Sequence, residues 1–255
     1  MEKKRIPILA ANWKMHKTIE ETKAFFSSFL PMVEDVRDRE IVAAPSFVCL
    51  VDACRITKGS PVEIAAQNMY FEETGAFTGE ISPLMLNSVG VSRVIIGHSE
   101  RRHIFGEDDE LIARKMKSAV DHRLHAILCI GETLEERKAG LTGRVLSAQL
   151  SVGLEMVKGD DFSRIAIAYE PVWAIGTGQT ASVDQIQEAH GLVRRTLAER
   201  AGESVAQQIR ILYGGSVKPG NIGQIMALED VDGALVGGAS LDPESFARIV
   251  KFEEK

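Results

Sequence analysis

The chain has 255 residues, of which 45% are hydrophobic and 26% charged, and its formal net charge at pH 7 is -6. This composition is typical of a globular protein that is long enough to bury a sizeable core. The negative balance and the lack of a basic run argue against nucleic acid or a membrane surface as the main partner. A small anion can still bind, because single cations and backbone N–H groups act locally.

The cysteines and the N-terminus bear on the cellular compartment. Cys49, Cys54 and Cys129 show no CxxC spacing, so we expect reduced, mostly buried thiols rather than disulfides or metal ligands. The apolar run near the N-terminus is too short for a signal peptide, and no stretch approaches the ~20 apolar residues of a membrane helix. We therefore expect a cytoplasmic protein.

Short apolar runs recur along the chain and predict eight β-strands. Most of them are near-continuous Val, Ile, Leu and Ala, which is typical of parallel strands buried on both faces. In chain order the runs are "IPILAA" (6–11), "IVAA" (41–44), "VEIAA" (62–66), "RVIIG" (93–97), "HAILCIG" (125–131), "RIAIAY" (164–169), "IRILYG" (209–214) and "GALVGG" (233–238).

The spacers between these runs favour helices. Residues 18–30, 111–120 and 182–200 place apolar side chains on one face, and the first and third ranges begin with a capping-box pattern. Strand and helix alternate eight times without a linker, and parallel strands need right-handed crossover connections. We therefore predict one α/β domain over residues 1–255, a closed (β/α)8 barrel. An open doubly wound sheet is the alternative, but no GxGxxG follows the first strand.

Polar residues stand at the C-terminal ends of several predicted strands. Asn12 and Lys14 follow the first strand, His98 and Glu100 the fourth, and Glu170 the sixth. In a barrel these ends converge on the face where barrel enzymes have their active sites. Each residue alone has a structural alternative: a solvated lysine, a histidine that caps the next helix, or a glutamate that accepts backbone N–H groups. Together a base, an electrophile and a cation suit proton transfer.

Glycine pairs follow the last two strands, in "YGGSV" (213–217) and "VGGAS" (236–240). Glycine lets backbone N–H groups approach an anion closely, and these two loops are the usual phosphate site of such barrels. Tight turns without a ligand are the alternative.

The stretch "AYEPVWAIGTGQTAS" (168–182) ends a buried strand on Glu170 and continues into a thin, glycine-rich segment. We interpret 171–181 as a lid over the site, with the backbone N–H of Gly176 as its best candidate contact. Closure of such a lid would exclude water and protect a reactive intermediate.

Five motifs together resemble the triosephosphate isomerase family, from residue 9 to about residue 249: "ANWKMH", "IIGHSERR", "AYEPVWAIGTGQTAS", "ILYGGSV" and "GALVGGASL". The resemblance implies interconversion of dihydroxyacetone phosphate and D-glyceraldehyde 3-phosphate, with no metal or organic cofactor. It implies Glu170 as the base that moves a proton between C1 and C2, and His98 as a neutral electrophile at the substrate oxygens. Lys14 would supply positive charge, and Asn12 would orient the substrate.

The resemblance also assigns the remaining residues of the site. The phosphate would be bound by Gly176, Ser216, Gly237 and Gly238. Asn12 and Lys14 would assist in its binding. Glu100 and Cys129 would support the site from beside it. At Gln179 the family often has lysine, so we expect altered rates of lid opening and closing rather than loss of function.

The segment "QNMYFEETGAFTGEIS" (67–82) is long and apolar for a loop after a strand. The resemblance implies a homodimer in which this segment inserts into the neighbouring subunit, with Thr78 near the partner's Lys14. The alternative is a loop folded over its own domain.

Other functions remain open at this point. A different sugar-phosphate isomerase or an aldolase barrel would share the glycines, and an aldolase would need a Schiff-base lysine, for which Lys14 is the strand-end candidate. A non-catalytic phosphometabolite-binding module would lack turnover. A structural scaffold would leave the lid unexplained.

Overall fold

A computed structural model describes residues 5–175 and 180–253. Its eight strands are all parallel and close into a barrel in chain order, with the first strand hydrogen-bonded to the eighth. This confirms the (β/α)8 fold. The strands are Ile8–Asn12 (β1), Glu40–Ala44 (β2), Val62–Ala66 (β3), Arg93–Ile96 (β4), His125–Ile130 (β5), Ile165–Tyr169 (β6), Arg210–Tyr213 (β7) and Gly233–Val236 (β8).

The observed strand bounds agree with the predicted runs to within two residues. The eighth run was predicted over 233–238, but β8 ends at Val236. Gly237 has φ −86° and ψ −112°, which is far from the ψ of a strand, so the chain turns there. This early turn brings the backbone of the glycine pair to the barrel mouth.

Helices fill the spacers between strands. The three predicted helices are present as α1, α5 and α8, and both capping boxes are formed. The helices are Ile19–Val33 (α1), Leu50–Thr57 (α2), Pro83–Ser88 (α3), Ser99–His103 (α4), Asp109–Asp121 (α5), Leu134–Lys138 (α6), Thr142–Gly153 (α7), Val183–Ala201 (α8), Glu203–Ala206 (α9), Ile222–Met226 (α10) and Pro243–Val250 (α11).

Side chains alternate along each strand, and this alternation separates the core into two clusters. The outward positions join the helices in a large cluster that includes Phe26, Phe29 and Trp13. The inward positions form a compact plug of mostly small and branched side chains: Ile8, Ala10, Val42, Ala44, Ala65, Ile95, Ile127, Cys129, Ala166, Ala168, Leu212 and Leu235. The barrel interior is therefore a packed core and not a channel.

The same alternation, continued two residues beyond the plug, places polar side chains at both ends of the interior. Arg93 and Arg210 lie at the N-terminal end, which we call the barrel floor, together with Glu40 and Glu63. The C-terminal end, the barrel mouth, receives Glu170 and its neighbours. In the described parts of the chain, no helix combines the length and apolar character needed to cross a membrane.

Candidate active site

A cavity of about 320 Å³ opens at the barrel mouth. It is bounded by residues that follow β1, β4, β6, β7 and β8, so five separate strands contribute to it. A surface hollow of about 530 Å³ around Phe71 and Arg114 is larger, but none of the polar strand-end residues lines it. The structure brings seven of the predicted site residues together around the mouth cavity: Asn12, Lys14, His98, Glu170, Ser216, Gly237 and Gly238.

Lys14 is held in an unusual backbone conformation. Its φ is +52°, a left-handed value that costs a residue with a side chain about 1–2 kcal/mol. Two polar side chains stabilise it: Lys14 N–H donates to Asn12 Oδ1 at 3.1 Å, and Gln67 Nε2 donates to the Lys14 carbonyl at 2.9 Å. The ammonium then reaches Glu100 Oε1 at 2.8 Å, which places Glu100 beside the cavity as expected.

Gln67 was not recognised as part of the site from the sequence. It also donates to the carbonyl of Ala44, so one amide group joins the ends of β1, β2 and β3. The sequence offered a signal for this residue. Gln67 directly follows the third strand, just as Glu170 follows the sixth, and Asn12 ends the first.

The sequence left two alternatives for His98, a cap of the next helix or a proton donor in the site. The contacts of His98 fit both. Its Nδ1 accepts a hydrogen bond from the backbone N–H of Glu100 at 3.3 Å and caps α4. An amide N–H can only donate, so Nδ1 carries a lone pair and the ring proton resides on Nε2. Nε2 lies 3.1 Å from Glu170 Oε1, so the donor side of a neutral imidazole faces the cavity.

Glu170 is only 2% exposed, and both carboxylate oxygens have partners. Oε1 contacts His98 Nε2, and Oε2 accepts the backbone N–H of Ser99 at 2.9 Å. Two glycines leave room for it. A Cβ at Gly131 would stand 1.7 Å from the Glu170 carbonyl oxygen, and one at Gly214 would stand 2.8 Å from Glu170 Cγ.

Cys129 lies under the cavity in the barrel plug, fully buried. Burial raises the pKa of its thiol well above the usual range, and the nearby charge of Glu170 raises it further. The thiol therefore stays protonated at neutral pH and is not a reactive nucleophile. The other two cysteines are also free; Cys49 is buried, and Cys54 is partly buried. Among the described residues, no group of three or more His, Cys, Asp and Glu side chains could hold a metal ion.

The turns after β7 and β8 form the far wall of the cavity. A Cβ added at Gly238 would have no neighbouring atom within 4 Å, so the backbone there faces open space. Asn221 braces the other turn: its Nδ2 donates to the Ser216 carbonyl at 2.9 Å, and its Oδ1 accepts the N–H of Lys218 at 2.7 Å. Both turns thus bring glycine backbone to the wall of the cavity.

The segment 171–181 is fixed at its first end by a buried carboxylate. Glu132 is 0% exposed, and its Oε1 accepts hydrogen bonds from Trp173 Nε1 at 3.0 Å and from the Tyr169 hydroxyl at 3.1 Å. Sequence analysis missed Glu132, although it stands just after the fifth strand. Gly176 and Gln179 lie outside the described residues.

The second end of this segment lies near Tyr213. Ala181 is buried, and the hydroxyl of Tyr213 is buried without a hydrogen-bond partner among the described residues. Burial raises the pKa of that hydroxyl to about 12, while the nearby backbone of Ala181 and Ser216 lowers it slightly. Tyr213 therefore stays neutral at pH 7.

The position of the cavity identifies the class of protein. Barrels of this fold carry out their chemistry at the C-terminal ends of the strands, so fold and cavity together define a (β/α)8-barrel enzyme. Comparison with known proteins narrows this class to one family. The model of the triosephosphate isomerase family matches residues 7–253, and the chain belongs to that family.

Relatives with this family name match the chain over almost their whole length. Triosephosphate isomerase of Citrifermentans bemidjiense is 52% identical over 250 residues, which are 98% of this chain and 100% of the relative. That of Syntrophotalea carbinolica is 51% identical over 249 residues, with 98% and 99% covered. That of Clostridium botulinum is 50% identical over 248 residues, with 97% and 100% covered. The resemblance in the five motifs is confirmed, and the chain is an aldose–ketose isomerase of glycolysis.

Proposed function

We propose that the chain performs its interconversion of dihydroxyacetone phosphate and D-glyceraldehyde 3-phosphate in the mouth cavity, with Glu170 as the base and His98 as the electrophile. The proposal rests on one observation above all. The carboxylate of Glu170 and the Nε2 of His98 face the same cavity, 3.1 Å apart. A base and a proton donor at this separation can act on neighbouring atoms of one small substrate.

The chemistry requires this pair. Glu170 removes a proton from C1 of the ketose and returns it at C2, and the negative charge that develops meanwhile on the carbonyl oxygen needs a donor. His98 supplies it from Nε2–H, since its Nδ1 is held as an acceptor. The ring then takes the hydroxyl proton of O1 in return, so that the carbonyl group moves from C2 to C1. A single well-aimed donor of this kind is worth about 3–4 kcal/mol. Lys14 places a cation on the same side, and Asn12 orients both Lys14 and the substrate oxygens.

Substrate binding must also release Glu170 from its present partner. In this structure Oε2 is occupied by the Ser99 N–H. For that oxygen to reach a proton on carbon, the hydrogen bond has to break, and His98 Nε2–H has to exchange Glu170 Oε1 for the substrate oxygen. Glu100, which pairs with Lys14, and Cys129, which lies beneath the cavity, support the site without contacting the reacting atoms.

The phosphate end of the substrate is assigned to Ser216, Gly237 and Gly238, together with Lys14 and Asn12. Support comes from the open backbone at Gly238 and the braced turn at Ser216. Backbone N–H groups without a covering side chain suit a phosphate, and the short 3-10 turn Gly238–Ser240 begins there. Gly176 stays an expectation from the sequence alone.

We further propose a homodimer that forms through residues 67–82. A single chain exposes large apolar side chains around the mouth: Met15 is 95% exposed, Val48 74% and Ile104 72%. Phe77, within 67–82, is 40% exposed while its ring also packs on Tyr70 at 4.6 Å. Exposed apolar side chains that gather at one end of the barrel, rather than being scattered singly, favour an interaction surface.

In this dimer Thr78, which is exposed in the single chain, would lie near the partner's Lys14. Light scattering at micromolar concentration should give twice the mass of the 27.9 kDa chain. A monomeric mass would contradict the proposal. The three free thiols and the glycolytic reaction support a cytoplasmic location. The closure of one barrel from β1 to β8 supports a single catalytic domain over residues 1–255.

The decisive experiment measures conversion of dihydroxyacetone phosphate to glyceraldehyde 3-phosphate by wild type and Glu170→Gln side by side. We expect rapid turnover that collapses in the variant, with an unchanged circular dichroism spectrum. Full turnover in Glu170→Gln would remove Glu170 from the role of base. No turnover by the wild type, with clear phosphate binding, would redirect the search to other sugar phosphates.

A further inference from the structure

Two lysines of the described residues line the mouth cavity, and they differ in how their charge is balanced. Lys14 is engaged by Glu100 at 2.8 Å. Lys218 is exposed and also lines the cavity, on the turn after β7. Within residues 5–175 and 180–253, no carboxylate forms an ion pair with Lys218. Its ammonium is therefore a cation that the described part of the protein has not already neutralised.

The backbone of Lys218 is fixed relative to the glycine-rich wall. Asn221 Oδ1 accepts its N–H at 2.7 Å, while Asn221 Nδ2 holds the Ser216 carbonyl at 2.9 Å. Val217, between the two, is buried. The Cα of Lys218 is thus locked two residues from Ser216, and only the flexible side chain can move toward the cavity.

The charge balance of the cavity gives this cation a task. Lys14 and Glu100 cancel, which leaves the carboxylate of Glu170 as the remaining charge of the lining if Lys218 is left out. The whole chain carries a net charge of -6. Only the backbone N–H groups of the glycine turns would then offset the two negative charges of a phosphate ester, and the net charge of the protein would oppose them. Opposing charge lowers the rate of association and the affinity.

We propose that Lys218 selects substrates by charge: its ammonium pairs with the phosphate dianion at the rim of the cavity, next to Ser216. The inference rests on the proposed function, which puts the phosphate at Ser216, Gly237 and Gly238. It adds a specificity determinant for phosphate monoesters over neutral trioses. Because Lys218 is exposed, solvent ions should screen its effect strongly.

The test compares Lys218→Gln with Lys58→Gln. Both substitutions remove one positive charge from an exposed lysine, but Lys58 follows α2 at the opposite end of the barrel. At low ionic strength we expect kcat/KM for dihydroxyacetone phosphate to fall about 5–10-fold in Lys218→Gln, mostly through KM, and inhibition by inorganic phosphate to weaken in parallel. The difference should shrink to less than about 2-fold at 0.5 M salt. Lys218→Arg should restore most of the loss, and Lys58→Gln should match the wild type.

Three results would overturn the inference. The first is equal kcat/KM and equal salt dependence in Lys218→Gln and Lys58→Gln. The second is unchanged inhibition by inorganic phosphate in an active Lys218→Gln enzyme. The third is a loss that does not depend on salt and that Lys218→Arg fails to restore, which would indicate a packing role. Failure of the proposed function is seen separately, because the wild type itself would then not turn over dihydroxyacetone phosphate.

Discussion

The floor and the mouth of the barrel are both polar, yet their charges are arranged in opposite ways. At the floor the Arg93 guanidinium lies between two carboxylates, with Nε 2.8 Å from Glu63 Oε2 and Nη2 bonded to Glu40. Arg210 adds a further contact to Glu40 at 3.4 Å. At the mouth Glu170 is held by a neutral imidazole and one backbone N–H. Four glycines, Gly214, Gly215, Gly237 and Gly238, also line that end.

This difference separates stability from chemistry. The floor charges neutralise one another, so they close the end of the core and have no charge left for a ligand. The mouth charges are left partly unbalanced beside an open cavity, where a ligand can complete them. The two ends of the same strands thus have different tasks, as is general in this fold. Matched substitutions at the two ends can test that division.

The largest effect is expected for Glu170→Asp. Withdrawing the base by about one methylene should lower kcat about 100–1000-fold, because proton transfer depends steeply on position. The thermal unfolding temperature should change little. Glu63→Asp makes the same withdrawal at the floor, and there we expect turnover within about 2-fold of wild type. Equal losses of turnover in both variants would contradict the assignment of chemistry to the mouth and of stability to the floor.

The next effect concerns stability. Arg93→Leu removes a guanidinium that is 5% exposed and leaves Glu63 and Glu40 without it. Removing one partner of a fully buried pair costs about 3–5 kcal/mol. Since these carboxylates are 43% and 23% exposed, we expect about 2–3 kcal/mol. Urea unfolding measures this free energy, and kcat of the folded variant should stay near wild type. A large fall in kcat without loss of stability would contradict the assignment of the floor.

The smallest effect concerns a buried histidine that has a hydrogen-bond partner at only one of its two ring nitrogens among the described residues. His190 on α8 is fully buried; its Nδ1 donates to the Asp230 carbonyl at 3.0 Å, and its Nε2 has no partner among the described residues. Burial lowers the pKa of His190 to about 4, against about 6.5 in an unfolded chain. Between these two pKa values the unfolded chain binds a proton at His190 but the native state does not. The free energy of unfolding therefore decreases as the pH falls from about 6.5 to about 4. The full loss amounts to about 3 kcal/mol.

His190→Gln keeps a donor for Asp230 but cannot titrate. The free energy of unfolding, measured in urea at pH 7 and pH 4.5, should therefore depend less on pH in this variant by about 2 kcal/mol. A residual slope should persist, because burial also lowers the pKa of His125 at the floor and carboxylates titrate in the same range. Identical pH profiles for the variant and wild type would show that His190 is not the responsible group.

Local patterns in the chain were sufficient for the fold and for most of the candidate site. Near-continuous apolar runs predicted every strand to within two residues, because strands buried on both faces have no polar positions to interrupt them. The capping boxes that begin α1 and α8 depend on residues three positions apart. The strand-end rule alone placed Asn12, His98 and Glu170 in one cavity.

Other members of the site depend on contacts across the barrel. Gln67 matters because its amide reaches the carbonyl of Lys14, 53 positions earlier. Glu132 matters because it holds Trp173, 41 positions later. No local pattern identifies such a partner, since a buried hydrogen bond is specified by where two elements meet. The backbone N–H of Ser99 as a partner of Glu170 is of the same kind.

The sequence by itself determined the order of strands and helices, the closure of the barrel and the face on which the polar residues meet. These follow from periodicity and from the geometry of parallel strands. Only the tertiary structure decided how each polar group is used. His98 presents Nε2 and not Nδ1 to the cavity, and Glu170 accepts the backbone N–H of Ser99. The ammonium of Lys218 forms no ion pair in the described chain. Charge and hydrogen bonding act over a few ångströms in space, and those neighbours are chosen by folding.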